Sequence, residues 1–483
     1  MGFDDEIEIF IKDYVKDLHE GTASIFAGAG LSIPAGFVNW SDLMEEFARA
    51  LGLDIKMESD FVSLAQFYIN ENRNRTKINR KIIEEFTEDT EETENHRIIA
   101  RLPVSSIWTT NYDELIEKTF LKQGKVTDTK HNIKQLLCNK PKRDVVIYKM
   151  HGDVSDPSDA IISKEQYESY HQTHEPFINA LTGELITKTF LFIGFSFTDP
   201  NLDYVLSRLN FRFREEKRLH YCIVKRHVLG DGLNPDQASL DYNTKKHSLI
   251  INDLKRYGIK TLLVNDYQEI TAILHEIESR YKKRTIFISG SAEVYDPYTR
   301  SDAVNFIHDM SKQLIKENFR LINGFGWGVG SSIINGALEA IYSNPLKYSE
   351  LQLVLRPFPQ FRTESEELSE LWEEYRNKMI SLSGISLFVF GNKNENNEII
   401  KAKGVIREFE ISAVLGNIII PIACTGYASE IIYNTIIDSI HKYYSNPLEA
   451  KSAKSYLEQL ADCNTPLKAK VPILINFIKT LTK

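Results

Sequence analysis

The chain has few cysteines, no long apolar run and no excess of basic residues. Its four cysteines, at positions 138, 222, 424 and 463 of 483, include no CxxC pair, and no histidine cluster completes a metal site. This spacing predicts reduced thiols and no bound metal. No apolar stretch approaches the roughly 18 residues of a membrane helix, and the first residues lack the pattern of a secretory signal. We therefore expect a cytoplasmic protein that does not bind membranes.

The charge balance narrows the class of partner. Lysine and arginine number 58 and aspartate and glutamate 67, which gives a formal net charge of -9. Tight binding to a nucleic-acid backbone depends on concentrated positive charge, so this balance argues against nucleic acid and favours a small ligand or a protein. With 42% hydrophobic residues over 483 positions, the composition is globular and the chain is long enough for two domains.

Short apolar segments alternate with helical ones in two successive series. The first series of predicted strands lies at 23–27, 104–110, 144–150, 188–195, 220–224 and 260–265. The second series lies at 285–290, 319–323, 351–355, 385–391 and 417–423. This alternation predicts α/β architecture, with two Rossmann-like domains built on doubly wound parallel sheets. The charged segment 281–284 marks the boundary, giving domains 1–283 and 284–483, and residues 40–101 have the spacing of a helical insert.

Four polar or glycine-rich motifs follow predicted strands of the first domain, at the end where α/β sheets bind ligands. They are GAGLS at 28–32, TTNYD at 109–113, HGD at 151–153 and GFSFTDP at 194–200. A glycine turn that opens a helix suits a diphosphate, although such a turn is equally often simple loop geometry. Asn111 and Asp113 are either ligand contacts or an Asx turn, and His151 taken singly is more often structural. The ordered set of four is more specific than any one motif.

This ordered set resembles the sirtuin family over most of residues 20–200. The resemblance implies that NAD+ is bound as a substrate by Ala27, Gly28, Ala29, Gly30, Ser32, Asn111, Asp113, Gly194 and Ser196. It also implies that His151 is the general base and that Asn111 orients a water or a ribose hydroxyl. Nicotinamide leaves through an oxocarbenium-like state, so the protein has mainly to position a ribose, a nucleophile and a few polar groups.

The chain departs from the deacylating sirtuins at two places. It lacks the paired CxxC motifs of their zinc ribbon, and Asn39 and Trp40 stand where that family has a loop arginine. Because the peptide-binding module is changed or missing, water is the simplest acceptor for the ribosyl cation. We therefore expect hydrolysis of NAD+ to ADP-ribose and nicotinamide. The alternatives are an NAD-dependent deacylase or ADP-ribosyltransferase, and a non-catalytic nucleotide sensor that acts by assembly.

Glycine-rich segments follow the first two predicted strands of the second domain, ISGSAE at 288–293 and INGFGWGVGSS at 322–332. Backbone amides in such loops suit a phosphate. These segments resemble the SLOG branch of Rossmann-like nucleotide-binding proteins. The catalytic loop of the related phosphoribohydrolases is absent, and CTGYASE at 424–430 stands in its place. The second domain is therefore expected to sense a nucleotide rather than to cleave one.

A sirtuin-like domain followed by a SLOG domain resembles the NAD-hydrolase effectors of the bacterial Thoeris antiphage system. The resemblance implies activation by a cyclic ADP-ribose isomer made by a TIR-domain partner, and a homotetramer that can build filaments. NAD depletion then stops the infected cell. The implied activator pocket consists of Ser289, Gly290, Ser291, Arg376, Lys393, Gly404 and Glu408. Arginine and lysine suit a diphosphate, although each charged residue taken singly is more often a surface charge.

Overall fold

The computed structural model describes residues 3–361 and 367–482. The chain forms two compact units, Met1–Glu278 and Ser279–Lys483. The sequence places the domain boundary after residue 283, whereas the two units divide within the helix Gln268–Lys283. Over the described ranges, no helix is both long enough and apolar enough to cross a bilayer.

In the described part of the chain, the first unit is built on seven parallel strands. They are β1 (Ala23–Ala27), β2 (Ser106–Thr109), β3 (Thr127–Lys130), β4 (Val145–Lys149), β5 (Thr189–Ile193), β6 (His220–Lys225) and β7 (Ile259–Val264). They are hydrogen-bonded in the order β3-β4-β2-β1-β5-β6-β7. The buried central strand β1 has β2 on one side and β5 on the other. The winding direction reverses there, so the carboxyl ends of β1 and β5 form the switch point where such sheets bind ligands.

Helices connect these strands. They are α1 (Asp5–Glu20), α2 (Ala29–Ser32), α3 (Trp40–Ala50), α4 (Phe61–Asn72), α5 (Thr76–Phe86), α6 (Glu94–Arg101), α7 (Leu115–Lys122), α8 (Ile133–Leu136), α9 (Lys164–Thr173), α10 (Glu175–Thr187), α11 (Pro200–Phe213), α12 (Gln237–Arg256) and α13 (Gln268–Lys283). The predicted insert between β1 and β2 is confirmed, since the segment forms α3 to α6. Its apolar side chains build their own buried cluster around Phe47 and Tyr68.

The local sequence explains the first helix. Asp4 caps α1 because its carboxylate accepts a hydrogen bond from the amide of Ile7 at 2.9 Å. Gly21 ends the helix in the left-handed conformation, with φ of 70°. The apolar residues that recur with helical spacing up to Leu18 are the residues that the structure buries. The helix therefore extends from its cap at Asp4 to its end at Gly21, and its apolar face is buried.

The second unit, as far as it is described, has a five-stranded parallel sheet and a hairpin. Its strands are β8 (Thr285–Ser291), β9 (Arg320–Asn323), β10 (Leu353–Leu355), β11 (Ile385–Phe390), β12 (Asn392–Glu395), β13 (Glu398–Lys401) and β14 (Ile418–Pro421). The sheet order is β10-β9-β8-β11-β14, and β12 pairs with β13 in antiparallel fashion. The predicted doubly wound α/β class is confirmed in both units. Here the switch point lies at the carboxyl ends of β8 and β11.

The helices of the second unit follow the same alternation. They are α14 (Arg300–Lys316), α15 (Gly330–Ser343), α16 (Leu368–Ile380), α17 (Lys403–Val414), α18 (Tyr427–Asp438), α19 (Ile440–Tyr443), α20 (Pro447–Ala461) and α21 (Leu467–Leu481). Their apolar faces share one buried cluster with the sheet, which includes Phe306, Phe388 and Phe477. This core holds the strand ends of the second unit in fixed positions.

Three strands, β3, β12 and β13, were not predicted. In β3 the inward positions hold Asp128 and Lys130, whose Oδ1 and Nζ form a buried ion pair at 2.8 Å. A strand that buries an ion pair has no apolar alternation for sequence reasoning to detect. The β12–β13 hairpin turns at Asn396 and Asn397, both in the left-handed region. This Asn-Asn pair is the signal that identifies the hairpin.

Candidate functional site

The turn after β1 packs directly against the turn after β5. The amide of Gly28 donates to the carbonyl of Ile193 at 2.9 Å, and the amide of Gly30 donates to that of Gly194 at 2.9 Å. A Cβ on Gly28 would lie 2.3 Å from the carbonyl oxygen of Gly194. Gly194 itself has φ of +64°. These positions therefore require glycine for the close approach of the two turns.

The other residues predicted to bind NAD+ along these two turns differ in their accessibility. Ala29 and Ser32 line a cavity beside the first turn. Ala27 is fully buried at the end of β1, so it is available to a ligand only through its backbone. Ser196 is exposed, and its hydroxyl lies 2.8 Å from the hydroxyl of Thr198. The structure thus places Ser196 at the surface of the turn that carries Gly194.

Asn111 is held by the turn after β1. Its Nδ2 donates to the carbonyl of Gly28 at 3.2 Å and to the hydroxyl of Ser32 at 3.1 Å. Nearby, Oδ1 of Asp113 accepts from the amide of Leu115 at 3.0 Å, which is the Asx turn considered above. Asn111 and Asp113 also line the cavity, so the turn does not exclude contact with a ligand. The motif TTNYD is therefore joined to the motif GAGLS by direct hydrogen bonds.

Four of the predicted residues, Ala29, Ser32, Asn111 and Asp113, share one cavity of about 40 Å³. The rest of its wall is made by Phe37, Val38, Asn39, Trp40, Leu43, Phe86, Thr110 and Tyr112. A ligand of drug size occupies a pocket of roughly 300 Å³ or more. Gly28, Gly194 and Ser196 are not among the residues of its wall, so this cavity is only one part of the predicted NAD+ site.

His151 follows β4, the second neighbour of β1, and is 2% exposed. Its Nε2 lies 3.1 Å from Oδ2 of Asp199, and its Nδ1 lies 3.4 Å from the hydroxyl of Tyr167. Burial opposes the charge of Asp199, but the facing imidazole and the hydrogen bonds to the carboxylate hold its pKa below the ordinary value. An ionised Asp199 faces the imidazole at this distance and orients the ring. His151 is not among the residues that line the 40 Å³ cavity.

Sequence reasoning did not assign a role to Asp199. The residue stands at the end of the quoted motif GFSFTDP, directly before Pro200. Its carboxylate also caps α11, because Oδ1 accepts from the amides of Asn201 and Leu202, each at 2.9 Å. An Asp-Pro pair before a helix signals the cap. The partnership with His151 depends on the way in which the turn after β4 meets the turn after β5 in the folded unit.

The second unit has a cavity of about 370 Å³ at the carboxyl ends of β8, β9 and β11. Six of the seven residues predicted for the activator pocket line it: Ser289, Gly290, Ser291, Lys393, Gly404 and Glu408. The glycine-rich segment supplies Gly324, Phe325 and Gly326 to the same wall. A pocket of this volume is in the range that holds nucleotide-sized ligands.

Arg376, the seventh predicted residue, lies beside the cavity. Its Nε is 3.6 Å from Oε1 of Glu408, and its guanidinium stacks 5.1 Å from the ring centre of Phe358. A Cβ on Gly404 would lie 3.3 Å from Nη2 of Arg376, so the guanidinium crosses close to the start of α17. The structure therefore gathers all seven residues around one space.

The protonation of Glu408 influences the charge of this pocket. Burial raises the pKa of Glu408 above its ordinary value, although the Ser289 hydroxyl and the Arg376 guanidinium oppose the shift. The Ser289 hydroxyl donates to Oε2 of Glu408 at 2.6 Å. A Glu408 carboxyl that takes up a proton no longer compensates the charge of Arg376, whereas Nζ of Lys393 pairs with Oε2 of Glu395 at 3.2 Å. The pocket consequently suits an anionic ligand such as a diphosphate.

Asn392 supports the pocket and was missed by sequence reasoning. It is fully buried, and its Oδ1 accepts from the amides of Glu293 and Val294 at 2.8 and 3.2 Å. Its carbonyl accepts from the hydroxyl of Ser291 at 2.9 Å. Asn392 thereby holds the loop that follows β8. Only the pairing of β8 with β11 brings it there, and its sequence neighbourhood gives no sign of this contact.

The four cysteines are free thiols, with Cys222 and Cys424 buried and Cys138 and Cys463 exposed. Burial raises the pKa of Cys222 to about 12, so this thiol is unreactive at neutral pH. Among residues 3–361 and 367–482, no group of three or more histidine, cysteine or acidic side chains has a metal-binding arrangement.

Comparison with known proteins agrees with the division of the chain into two units. A SIR2-like domain model matches residues 105–250, and the Sir2- and TIR-associating SLOG family model matches residues 269–481. The NAD(+) hydrolase ThsA of Bacillus cereus (strain MSX-D12) is 44% identical over 479 residues, which cover 99% of this chain and 98% of that protein. The NAD(+) hydrolase ThsA of Acinetobacter baumannii (strain 532279) is 41% identical over 485 residues, covering 99% of this chain and 100% of that protein.

Fold, site and comparisons define a two-domain protein with a SIR2-like unit followed by a SLOG unit. The identity extends over nearly the whole length of both chains, so it includes both units and their order. The chain belongs to the ThsA family of NAD(+) hydrolases. The motif GAGLS lies outside the SIR2-like match, and the structure connects it to the matched part through Asn111.

Proposed function

We propose that the chain hydrolyses NAD+ to ADP-ribose and nicotinamide, and that a cyclic ADP-ribose isomer bound in the SLOG unit activates this reaction. The observation that carries the proposal is the convergence of Ser32, Asn111 and Asp113 on one cavity at the carboxyl ends of β1 and β2, in a chain similar throughout to NAD(+) hydrolases. The reaction serves antiphage defence by depleting NAD. The activator comes from a TIR-domain partner, and the chain acts as a homotetramer in the cytoplasm.

In the proposed reaction the glycosidic bond to nicotinamide breaks as positive charge develops on the ribose. Asn111 orients the attacking water or a ribose hydroxyl from its anchored position on Gly28 and Ser32. His151 accepts the proton, and Asp199 stabilises the imidazolium that forms. Nicotinamide departs as a neutral molecule and water supplies the hydroxyl of ADP-ribose. No protein nucleophile is needed.

The small size of the first cavity supports control by an activator. The cavity beside Asn111 has a volume of about 40 Å³, whereas the cavity of the SLOG unit has a volume of about 370 Å³. An enzyme whose substrate site is closed and whose regulatory site is open responds to a ligand that favours the open state of the first.

The proposal is tested by mixing the purified full-length chain with NAD+, with and without a cyclic ADP-ribose isomer, and measuring nicotinamide and ADP-ribose. We expect equal amounts of the two products, no acceptor protein requirement, and a rate that rises with the isomer. Nicotinamide release only with an acylated or acceptor protein would identify a deacylase or transferase instead. Isomer binding without any product would identify a non-catalytic sensor.

Replacing Asp199 with asparagine tests the partnership with His151. Asparagine still accepts the capping bonds from Asn201 and Leu202, so α11 is retained while the negative charge is lost. We expect kcat to fall by roughly tenfold to a hundredfold, as when a charge-assisted contact is removed. Asp203→Asn, a change of the same kind on the same helix, is the control. Equal activity of the Asp199 and Asp203 variants would refute the partnership.

A further inference from the structure

Lys149 is a lysine at a position where the sheet buries its side chains. It is the last residue of β4, whose burial alternates so that Val145, Ile147 and Lys149 are buried. Two of these three are aliphatic, and Lys149 is 0% exposed. A buried ammonium is stable only when charged and hydrogen-bonding partners surround it. The partners of Lys149 therefore show what the residue does.

The ammonium contacts both segments that carry the predicted catalytic residues. Its Nζ donates to the carbonyl of Asp113 at 2.6 Å and to the carbonyl of Tyr112 at 3.1 Å. On the other side it forms an ion pair with Asp153, two residues after His151. Lys149 thus joins the segments 111–113 and 151–153, in addition to the backbone hydrogen bond from the amide of Val154 to the carbonyl of Tyr112 at 3.0 Å.

The charge of Lys149 is maintained by its neighbours. Burial opposes the charge, but Glu117, Asp153 and Asp113 together raise the pKa of Lys149 above its ordinary value. The nearest oxygen of Glu117 lies 3.5 Å from Nζ. Asp153 is fixed in turn, because its Oδ1 accepts from the amide of Ser155 at 2.8 Å. The tie between the two segments is therefore charged and rigid.

We propose that Lys149 is a positioning residue, whose buried ammonium fixes the segment of Asn111 relative to the segment of His151. The proposal rests on the proposed NAD+ hydrolysis. Lys149 does not line the 40 Å³ cavity, so it acts through the two segments rather than on the substrate. The contact between the turns at Gly28 and Gly194 does not involve Lys149. Substrate binding by those turns is accordingly expected to survive when the tie is removed.

The test compares Lys149→Met with Lys130→Met in the full-length chain. Lys130 is the matched control, because it is also a buried lysine at the end of a strand of this sheet, paired with Asp128 and donating to the carbonyl of Cys138. These bonds of Lys130 reach neither the segment 111–113 nor the segment 151–153. We expect Lys149→Met to lower kcat about a hundredfold, the usual cost of a small misplacement, with KM changed less than about threefold. Lys130→Met is expected to keep both values.

Hydrogen exchange separates this proposal from the proposed activity. In Lys149→Met we expect faster amide exchange in peptides covering 110–116 and 150–156, and no such change in Lys130→Met. If wild-type protein releases no nicotinamide, the proposed function fails, and the exchange data still decide whether Lys149 ties the segments. Unchanged exchange, or a fall in kcat equal to that of Lys130→Met, would overturn the positioning role.

Asp153→Asn provides the second variant in case Lys149→Met does not accumulate as folded protein. Asparagine retains an acceptor for Ser155 but loses the ion pair with Lys149. The same pattern of lower kcat, similar KM and faster exchange in the segment 150–156 is expected. Wild-type kcat in Asp153→Asn would contradict the proposal, because the two segments would then be positioned without the charged tie.

Discussion

Asn111→Ala and His151→Ala each abolish measurable nicotinamide release if the proposed chemistry is correct. Loss of a positioned proton acceptor costs about a hundredfold to ten-thousandfold in rate. Loss of a preorganised polar group costs about a hundredfold to a thousandfold. Asn111→Ala also removes the two hydrogen bonds that anchor the carboxamide to the β1 turn. The measurement is kcat for nicotinamide release at saturating activator.

The controls for these variants come from the same unit and from the other one. His171→Ala changes an exposed histidine on α9 and is expected to leave kcat unchanged. Calorimetry with the cyclic ADP-ribose isomer is expected to give wild-type affinity for both variants, since the SLOG cavity is built from other residues. Wild-type turnover in either variant, with the fold intact, would remove the assigned chemistry.

Arg376→Ala and Glu408→Ala are expected to make NAD+ hydrolysis respond poorly to the activator. At the SLOG cavity, Nε of Arg376 lies 3.6 Å from Oε1 of Glu408, and Oε2 of Glu408 accepts a hydrogen bond from the hydroxyl of Ser289. Losing a charge-assisted contact to the ligand weakens activator binding by roughly tenfold to a hundredfold. The activator concentration for half-maximal rate is expected to rise by the same factor. Activator titration by calorimetry, beside the rate assay, measures both quantities.

Matched variants on the same two helices separate loss of a pocket contact from loss of charge. Lys378→Ala on α16 and Glu410→Ala on α17 remove exposed charges, and both are expected to respond normally. At saturating activator, the Arg376 and Glu408 variants are expected to approach the wild-type rate, because the NAD+ site is unchanged. Normal half-maximal concentrations in both pocket variants would exclude the proposed pocket.

The proposed coupling between the two sites has a reciprocal consequence. A ligand that shifts an equilibrium does so only through its preference for one state, and the second ligand then shows the same coupling free energy. A non-hydrolysed NAD+ analogue is therefore expected to tighten activator binding. In Asn111→Ala, where turnover is expected to be lost, activator affinity can be compared with and without NAD+ itself.

Local patterns account for most of the strands and helices. The helix α1 is readable because its apolar residues recur with helical period, and the central strand β1 is readable because a short, mostly apolar run is buried on both faces. β3 was missed because Asp128 and Lys130 fill its buried positions with an ion pair. The β12–β13 hairpin was missed because, apart from Ile399 and Ile400, its strands carry polar side chains, although Asn396 and Asn397 mark the turn.

The candidate sites were predictable only in part. The sequence shows that Asn111, His151 and Gly194 follow strands, which brings them to one edge of a parallel sheet. It does not show that Gly28 and Gly194 pack backbone to backbone, or that the 40 Å³ cavity contains Asn111 and not His151. Those facts depend on how backbone and side chains pack in the folded unit, where differences of tenths of an ångström decide which atoms meet.

The sequence by itself determined the α/β class, the order of the two units and the strand-end positions of the motifs, since each follows from residues that are neighbours along the chain. The tertiary structure decided which side chains meet. Asp199 faces His151 and Lys149 contacts the segment 111–113 because β4, β2, β1 and β5 are adjacent in the sheet. Strand order depends on how all the connections of the folded unit pack together, and no single local pattern determines it.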